Sequence, residues 1–343
     1  MNGSRVCDLD TTRFADLVAL GTRAPSLHNT QPWRFRWDRD AVEILADPDP
    51  ARALPVTDPS GWGVRIALGA AAYNVRLGYA LLGWRAEVEP FPGSDVILRV
   101  HPEAEHVATP AERELAAAIP RRHTNRRPYL EVAVPADTLR ALVDAAGAEA
   151  CRLTVLDPRA AGEAFALIRA ADEDLEQRPG YAAERRAWTR GSAAGARGSD
   201  AAARGSAARG SAAPDPVDGV LADRLAGRPH LDERLRRRDF GGGAARPYES
   251  DPCLAVLTTS GDSRYDELRA GQALQHVLLR ATASGLTASL YSQPIEVASV
   301  RTRLSALCGG GTPQMVVRVG YGLAHSPTPR RPVHEVVLRD FRP

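Results

Sequence analysis

Setting Gly69 over Gly271 aligns Gly69-Ala-Ala-Ala-Tyr-Asn-Val-Arg-Leu-Gly-Tyr-Ala-Leu-Leu-Gly83 with Gly271-Gln-Ala-Leu-Gln-His-Val-Leu-Leu-Arg-Ala-Thr-Ala-Ser-Gly285 without a gap. Glycine stands at both ends of each copy, and Val75 over Val277 and Leu77 over Leu279 keep step between them. Each copy reads as a helix that is apolar on nearly all sides, and such a helix must be covered all round. Two long helices buried against each other at the centre of a pseudo-dimer meet that demand. A chance match between two Ala-rich, Gly-ended helices is the plain alternative.

A chain of 343 residues fits two domains of common size or one duplicated unit, and 44% hydrophobic residues suffice for the cores. The formal net charge of +2 gives no whole-chain field for nucleic acid or acidic lipid, so neither is an expected partner. All 44 basic residues are arginine. Without lysine there is no Schiff base, no pyridoxal-phosphate anchor and no P-loop lysine, so an anion must be held by guanidinium forks or backbone N–H groups. Cys7, Cys151, Cys253 and Cys308 lie far apart with no C-x-x-C pair, which argues against a disulfide framework or a zinc site. His101 and His106 lack helical ligand spacing, and no metal is expected. No apolar run has the length of a membrane span or the form of a secretion signal, so a cytoplasmic protein with reduced thiols is expected.

In order, the pattern predicts a helix over 11–20, capped by Thr11 or Thr12 and stopped by Gly21. A hairpin over 34–37 and 42–45 follows, then a helix over 64–82 and short strands at 88–91 and 96–100. Helices are expected at 111–119, 135–146 and 158–188, with a strand at 151–156. Residues 190–213 repeat Arg-Gly-Ser at 190, 197, 204 and 209 with no bulky apolar side chain, which reads as a disordered linker. An RNA-binding Arg-Gly tract is the sharper reading, but aromatic interleaving is absent. Beyond it come a strand at 253–258, the repeat helix, a helix at 300–307 and a strand at 314–319.

Three polar stretches carry chemistry. Arg23-Ala-Pro-Ser-Leu-His-Asn-Thr-Gln-Pro-Trp33 packs a hydroxyl, an imidazole and two amides between two prolines, and reads as a rigid polar loop or as a plain turn with Trp33 in the core. Pro120-Arg-Arg-His-Thr-Asn-Arg-Arg-Pro-Tyr129 puts four arginines within seven residues, either as an anion receptor or as a solvated basic turn. Near the C-terminus, Arg330 and Arg331 stand between Pro329 and Pro332, where fixed backbone leaves the guanidiniums little entropy to lose.

The string A-P-S-x-H-N-T-Q-P-W-R-F resembles the flavin loop of the nitroreductase superfamily, and more closely that of its Acg-type subgroup, in which one chain carries two nitroreductase-like halves. Three further motifs follow in the family's order. R-R-H-T-x-R resembles the opening motif that grips the FMN phosphate and ribityl chain, which implies contacts from Arg122, His123, Thr124 and Arg126. Pro294-Ile-Glu296 resembles the segment whose backbone passes over the flavin ring edge near N5, so Pro294, Ile295 and Glu296 are implied there; a strand entering the next helix is the bland reading. Arg330 and Arg331 resemble the C-terminal element that completes the phosphate site, with arginine where lysine is frequent.

The resemblance implies an α+β fold: a nitroreductase-like sandwich with a mixed, mostly antiparallel sheet and helices, its two related halves forming a pseudo-dimer. The first half is expected over 1–110 and the second over 111–343, with 163–218 as a candidate lid. FMN would sit between them, one per chain, because the first half has no counterpart of the Arg122 motif before its own helix. Pro25, Ser26, His28, Asn29 and Gln31 would supply one wall. The flavin carries the redox chemistry, so no protein catalytic residue is assigned. The expected activity is electron transfer from a nicotinamide donor, NAD(P)H, to a nitroarene, quinone or similar conjugated acceptor. A protein that binds and shields FMN without turnover is the alternative.

Overall fold

A computed structural model describes residue 7 and residues 9–93, 95–190, 220–221, 249–322 and 328–338. Of the linker expected over 190–213 only Arg190 is described, in a short strand, and of the candidate lid over 163–218 residues 191–218 lie outside the described residues.

The chain opens with α1 (Thr11–Gly21). Its cap is Asp10 rather than a threonine, since the Asp10 carboxylate accepts from Arg13 N at 2.8 Å. Gly21 serves packing rather than stopping the helix: a Cβ there would lie 3.0 Å from the Phe35 ring. Strands β1 (Trp33–Asp38) and β2 (Ala41–Ala46) form the expected hairpin. The long apolar helix is α2 (Trp62–Leu81). Strands β3 (Trp84–Gly93) and β4 (Val96–Glu105) run longer than expected, because β3 is an edge strand and tolerates Pro90 and Pro92 there.

The order continues with α3 (Pro110–Ala118), α4 (Ala136–Ala148), β5 (Arg152–Val155), α5 (Pro158–Gln177) and α6 (Tyr181–Ala187). The single helix expected over 158–188 is broken at Gly180, whose φ of 85° is left-handed. Short strands β6 (Thr189–Arg190) and β7 (Val220–Leu221) pair in parallel. Next come β8 (Cys253–Thr259), α7 (Arg264–Ala283), β9 (Thr287–Tyr291), α8 (Gln293–Glu296), α9 (Ala298–Leu307), β10 (Thr312–Gly320) and α10 (Val333–Val336).

Two four-stranded antiparallel sheets result, ordered β1-β2-β4-β3 and β5-β8-β10-β9. Placing β5 over β1, β8 over β2, β9 over β3 and β10 over β4 makes the two orders identical. α1 packs on α2 as α4 packs on α7. The second half differs by what it inserts. It carries α5 to β7 where the first has the tight turn between β1 and β2, and α8 with α9 where the first has the turn between β3 and β4.

The aligned repeat helices α2 and α7 cross at their aligned glycines. A Cβ on Gly69 would meet the Leu268 carbonyl oxygen at 2.1 Å, and one on Gly271 would meet that of Ile66 at 2.2 Å. Backbone touches backbone there, which only glycine allows. Close by, Gln275 Nε2 donates to Asn74 Oδ1 at 2.7 Å. Ile66 belongs to the second half's core and Leu268 to the first's, so each half borrows an apolar side chain from the other's central helix. The C-terminal segment also crosses over: Leu338 N donates to Phe35 O at 2.8 Å.

Candidate functional site

The loop after α1 is built from uncommon backbone. His28, Asn29 and Gln31 take φ of 48°, 59° and 51°. Asparagine tolerates this region, whereas His and Gln need support from their surroundings. Ser26 Oγ accepts from Gln31 N at 3.0 Å, closing the loop on itself. The C-terminal segment fastens it from outside: Arg331 N donates to Gln31 Oε1 at 2.8 Å, and Arg330 Nη1 donates to Asn29 Oδ1 at 2.7 Å. Leu27 lies on α2 at Gly63, where a Cβ would come within 2.3 Å of its Cδ1.

This loop forms one wall of a cleft of about 1320 Å³, its open mouth included, between the two halves. Pro25, Ser26, His28 and Asn29 face it from the first half. Arg122, His123, Thr124 and Arg126 face it from the segment after α3, with Glu296 at the end of α8 and Arg330 from the C-terminal segment. Residues from four distant stretches of sequence therefore meet in one place. Four others expected here lie behind the wall. Gln31 is fully buried and bonded to Arg331 N, and Pro294 and Ile295 are buried, with Ile295 in the second core. Arg331 is turned away to Asp47, with Nη1 2.9 Å from a carboxylate oxygen that Arg34 and Arg52 also pair with.

The cationic end has a specific geometry. Arg122 Nη2 donates to Arg23 O at 3.0 Å and Arg330 Nη2 to Ala24 O at 3.1 Å, so two guanidiniums bracket successive carbonyls. Arg330 Nε also donates to Thr22 O at 2.9 Å. Arg122 is 6% exposed, its buried Nε has no hydrogen-bond partner, and no carboxylate pairs with it among the described residues. Burial, aided by the charge of Arg23, pushes its pKa down to about 10. Burial lowers that of Arg126 as well. The uncompensated buried charge of Arg122 is costly, and an anion in the cleft would remove the cost.

Other lining residues carried no motif. Trp62, Gly63, Ile66 and Ala67 on α2 form a floor with Leu274 of α7, and Leu290 and Met315 add apolar surface. Gln293 and Ser292 lie beside them, and Tyr181, Arg185 and Thr189 of the α6 region complete the lining. The Glu184 carboxylate clamps α6 to the first half, accepting from Val56 N at 2.8 Å, from Thr57 N at 3.0 Å and from the Thr57 hydroxyl. Ile66, Ala67 and Leu274 of the floor lie on the two repeat helices, which the sequence marks as helices but not as a cleft floor. α6 falls within the helix expected over 158–188 and the candidate lid over 163–218. Among the described residues no group of three His, Cys, Asp or Glu side chains could hold a metal ion.

No family model matches the chain. The Mycobacterium tuberculosis protein named "Putative NAD(P)H nitroreductase Rv3131" is 33% identical over 347 residues, covering 96% of this chain and 92% of its own length. The protein "Putative NAD(P)H nitroreductase acg" of the same organism is 32% identical over 337 residues, covering 93% of each. Among solved structures, a "putative nitroreductase" from Anabaena variabilis aligns over 92% of this chain and 90% of its own, at 11% identity and a TM-score of 0.45. By its likeness to the two mycobacterial proteins along nearly its whole length, this chain belongs to the nitroreductase family.

Proposed function

We propose that the cleft binds one FMN per chain and that the protein passes electrons from a reduced nicotinamide, NADH or NADPH, to a nitroaromatic, quinone or similarly conjugated acceptor. Arg122 is the observation that carries this reading, as a buried guanidinium without a carboxylate partner, lining the cleft. A phosphate dianion supplies the missing charge, and Arg330, held by the same backbone through its own donors, adds a second positive charge beside it. The Thr124 hydroxyl and the His123 ring stand beside them to bond the phosphate and ribityl oxygens. Ser26 and Asn29 fix the facing wall. The apolar floor of Trp62, Ile66, Leu274 and Met315 suits a flat ring and keeps water from its underside.

When bound, the flavin supplies the electron transfer itself, and the chain contributes binding, orientation and exclusion of water. In this reading residues 1–110 form the first half and 111–343 the second, one polypeptide doing the work of two subunits. Nucleic acid and membrane have no part in it. A second reading, a protein that holds FMN with little turnover, draws on the clamp at Glu184, which fastens α6 over the cleft. The test is an anaerobic titration of the purified protein after loading with FMN. Bleaching of the visible flavin bands by NADPH supports the oxidoreductase, bleaching by dithionite alone supports the holding protein, and failure to take up FMN sinks both.

A further inference from the structure

The chain buries four glutamines, at positions 31, 275, 293 and 314. Three have protein partners. Gln31 Oε1 accepts from Arg331 N, Gln275 Nε2 donates to Asn74, and Gln314 bonds Trp62 Nε1 at 2.7 Å and Thr259 Oγ1 at 2.9 Å. Gln293 is different: it is 7% exposed and lines the cleft, yet its buried Oε1 has no hydrogen-bond partner, and its carboxamide bonds no described residue. A carboxamide so placed has lost water without gaining protein, which is unfavourable until something else bonds it.

Its place along β9 says what that something is. Asn125 N donates to Ala288 O at 2.8 Å, and Thr124 pairs with Ala288, so the phosphate-binding segment abuts the start of β9. The strand then runs three residues to Tyr291 before Gln293 opens α8. At roughly 3.3 Å per residue this sets Gln293 about 10 Å or more beyond the level of Thr124. The apolar side chains of Leu290, Met315 and Leu274 line the same cleft. A ligand whose phosphate lies at Arg122 brings its ring system to this end.

We infer that the Gln293 carboxamide binds the pyrimidine edge of the isoalloxazine, accepting from N3–H and donating to a flanking carbonyl oxygen. The inference rests on the flavin reading above. A carboxamide carries a donor and an acceptor side by side, the complement of an imide edge, whereas the neighbouring Glu296 carboxylate is acceptor-only when ionised. Gln293 therefore sets the ring's register in the cleft, and it selects cofactors that keep N3–H.

The test uses the apo protein and Gln293→Met, a substitution that keeps chain length and removes both polar groups. The expected Kd for FMN rises about tenfold. Wild type should also disfavour 3-methyl-FMN relative to FMN by about tenfold, and the variant should not. The Tm of the apo variant should equal or exceed that of apo wild type, because no protein partner is lost. Gln293→Glu, which keeps the shape but loses the donor, should weaken FMN binding at least as much. An FMN Kd within about twofold of wild type, with the preference against 3-methyl-FMN retained, overturns the assignment while leaving the flavin reading intact. A lowered Tm in apo Gln293→Met marks a packing role and overturns it too. If wild type itself takes up no FMN, both the flavin reading and this assignment fall.

Discussion

A guanidinium enclosed without a counter-charge destabilises the empty protein and rewards an anion, and Arg122 is in that position. Arg122→Ala should weaken FMN binding by about 1.5–3 kcal/mol, the scale of a hydrogen bond to a charged group. The melting temperature of the empty variant should not fall, and a fluorescence titration beside a melt reads both quantities. Asp58 gives a pH-dependent counterpart. Its carboxyl is pushed up to about 6 by burial, opposed by bonds from the Gly63 and Val64 N–H groups at the start of α2. A carboxyl whose folded pKa lies above its unfolded value binds its proton more tightly in the native state. Its contribution is thus full below about pH 4 and is lost as pH rises through about 6, in total roughly 2–3 kcal/mol. Asp58→Asn should flatten that slope, seen as a smaller difference between denaturation midpoints at pH 5 and pH 7.5. The sequence made Arg122, Thr124 and Arg330 legible because their residue types and order carried a motif. It could not show that Arg331 is drawn to Asp47, or that Gln31 is spent on the C-terminal segment, since both pairings close across the fold.

The helix periods and hairpin alternation of β1 and β2 were plain at the level of elements, and the errors came where tertiary packing overrode local signals. Edge placement let β3 run through two prolines, and a left-handed Gly180 split α5 from α6. The split matters for the cleft, because it turns Tyr181 and Arg185 into the lining while Glu184 reaches the Val56–Thr57 backbone. One carboxylate holds that helix by three donors. Glu184→Ala should loosen α6 by about 1.5–3 kcal/mol, visible as faster hydrogen exchange over 181–188 with the exchange of α2 unchanged. If α6 limits access, the same variant should also be reduced faster by NADPH. An unaltered exchange pattern would show that the clamp contributes nothing.

At the scale of the whole molecule, the duplication suggested by two Gly-ended helices is written more fully in the strand orders, which pair residues far apart in the chain. The helix crossing is its tightest point. Gly69→Ala sets a Cβ 2.1 Å from a backbone oxygen, so α2 and α7 must part, and a loss of about 3–5 kcal/mol is expected in denaturant unfolding. Gly147→Ala in α4, where a Cβ meets nothing within 4 Å, is the control and should gain roughly 0.5–1 kcal/mol. No described helix is long and apolar enough to cross a membrane. The segment 328–338 sits against β1 and fastens the wall that bears Asn29, although nearly 300 residues of chain separate them. During translation, that wall therefore emerges from the ribosome long before its fastener. It stays unfastened while nearly all of the second half is being made, and takes its final shape only once Arg330 and Arg331 have followed it out.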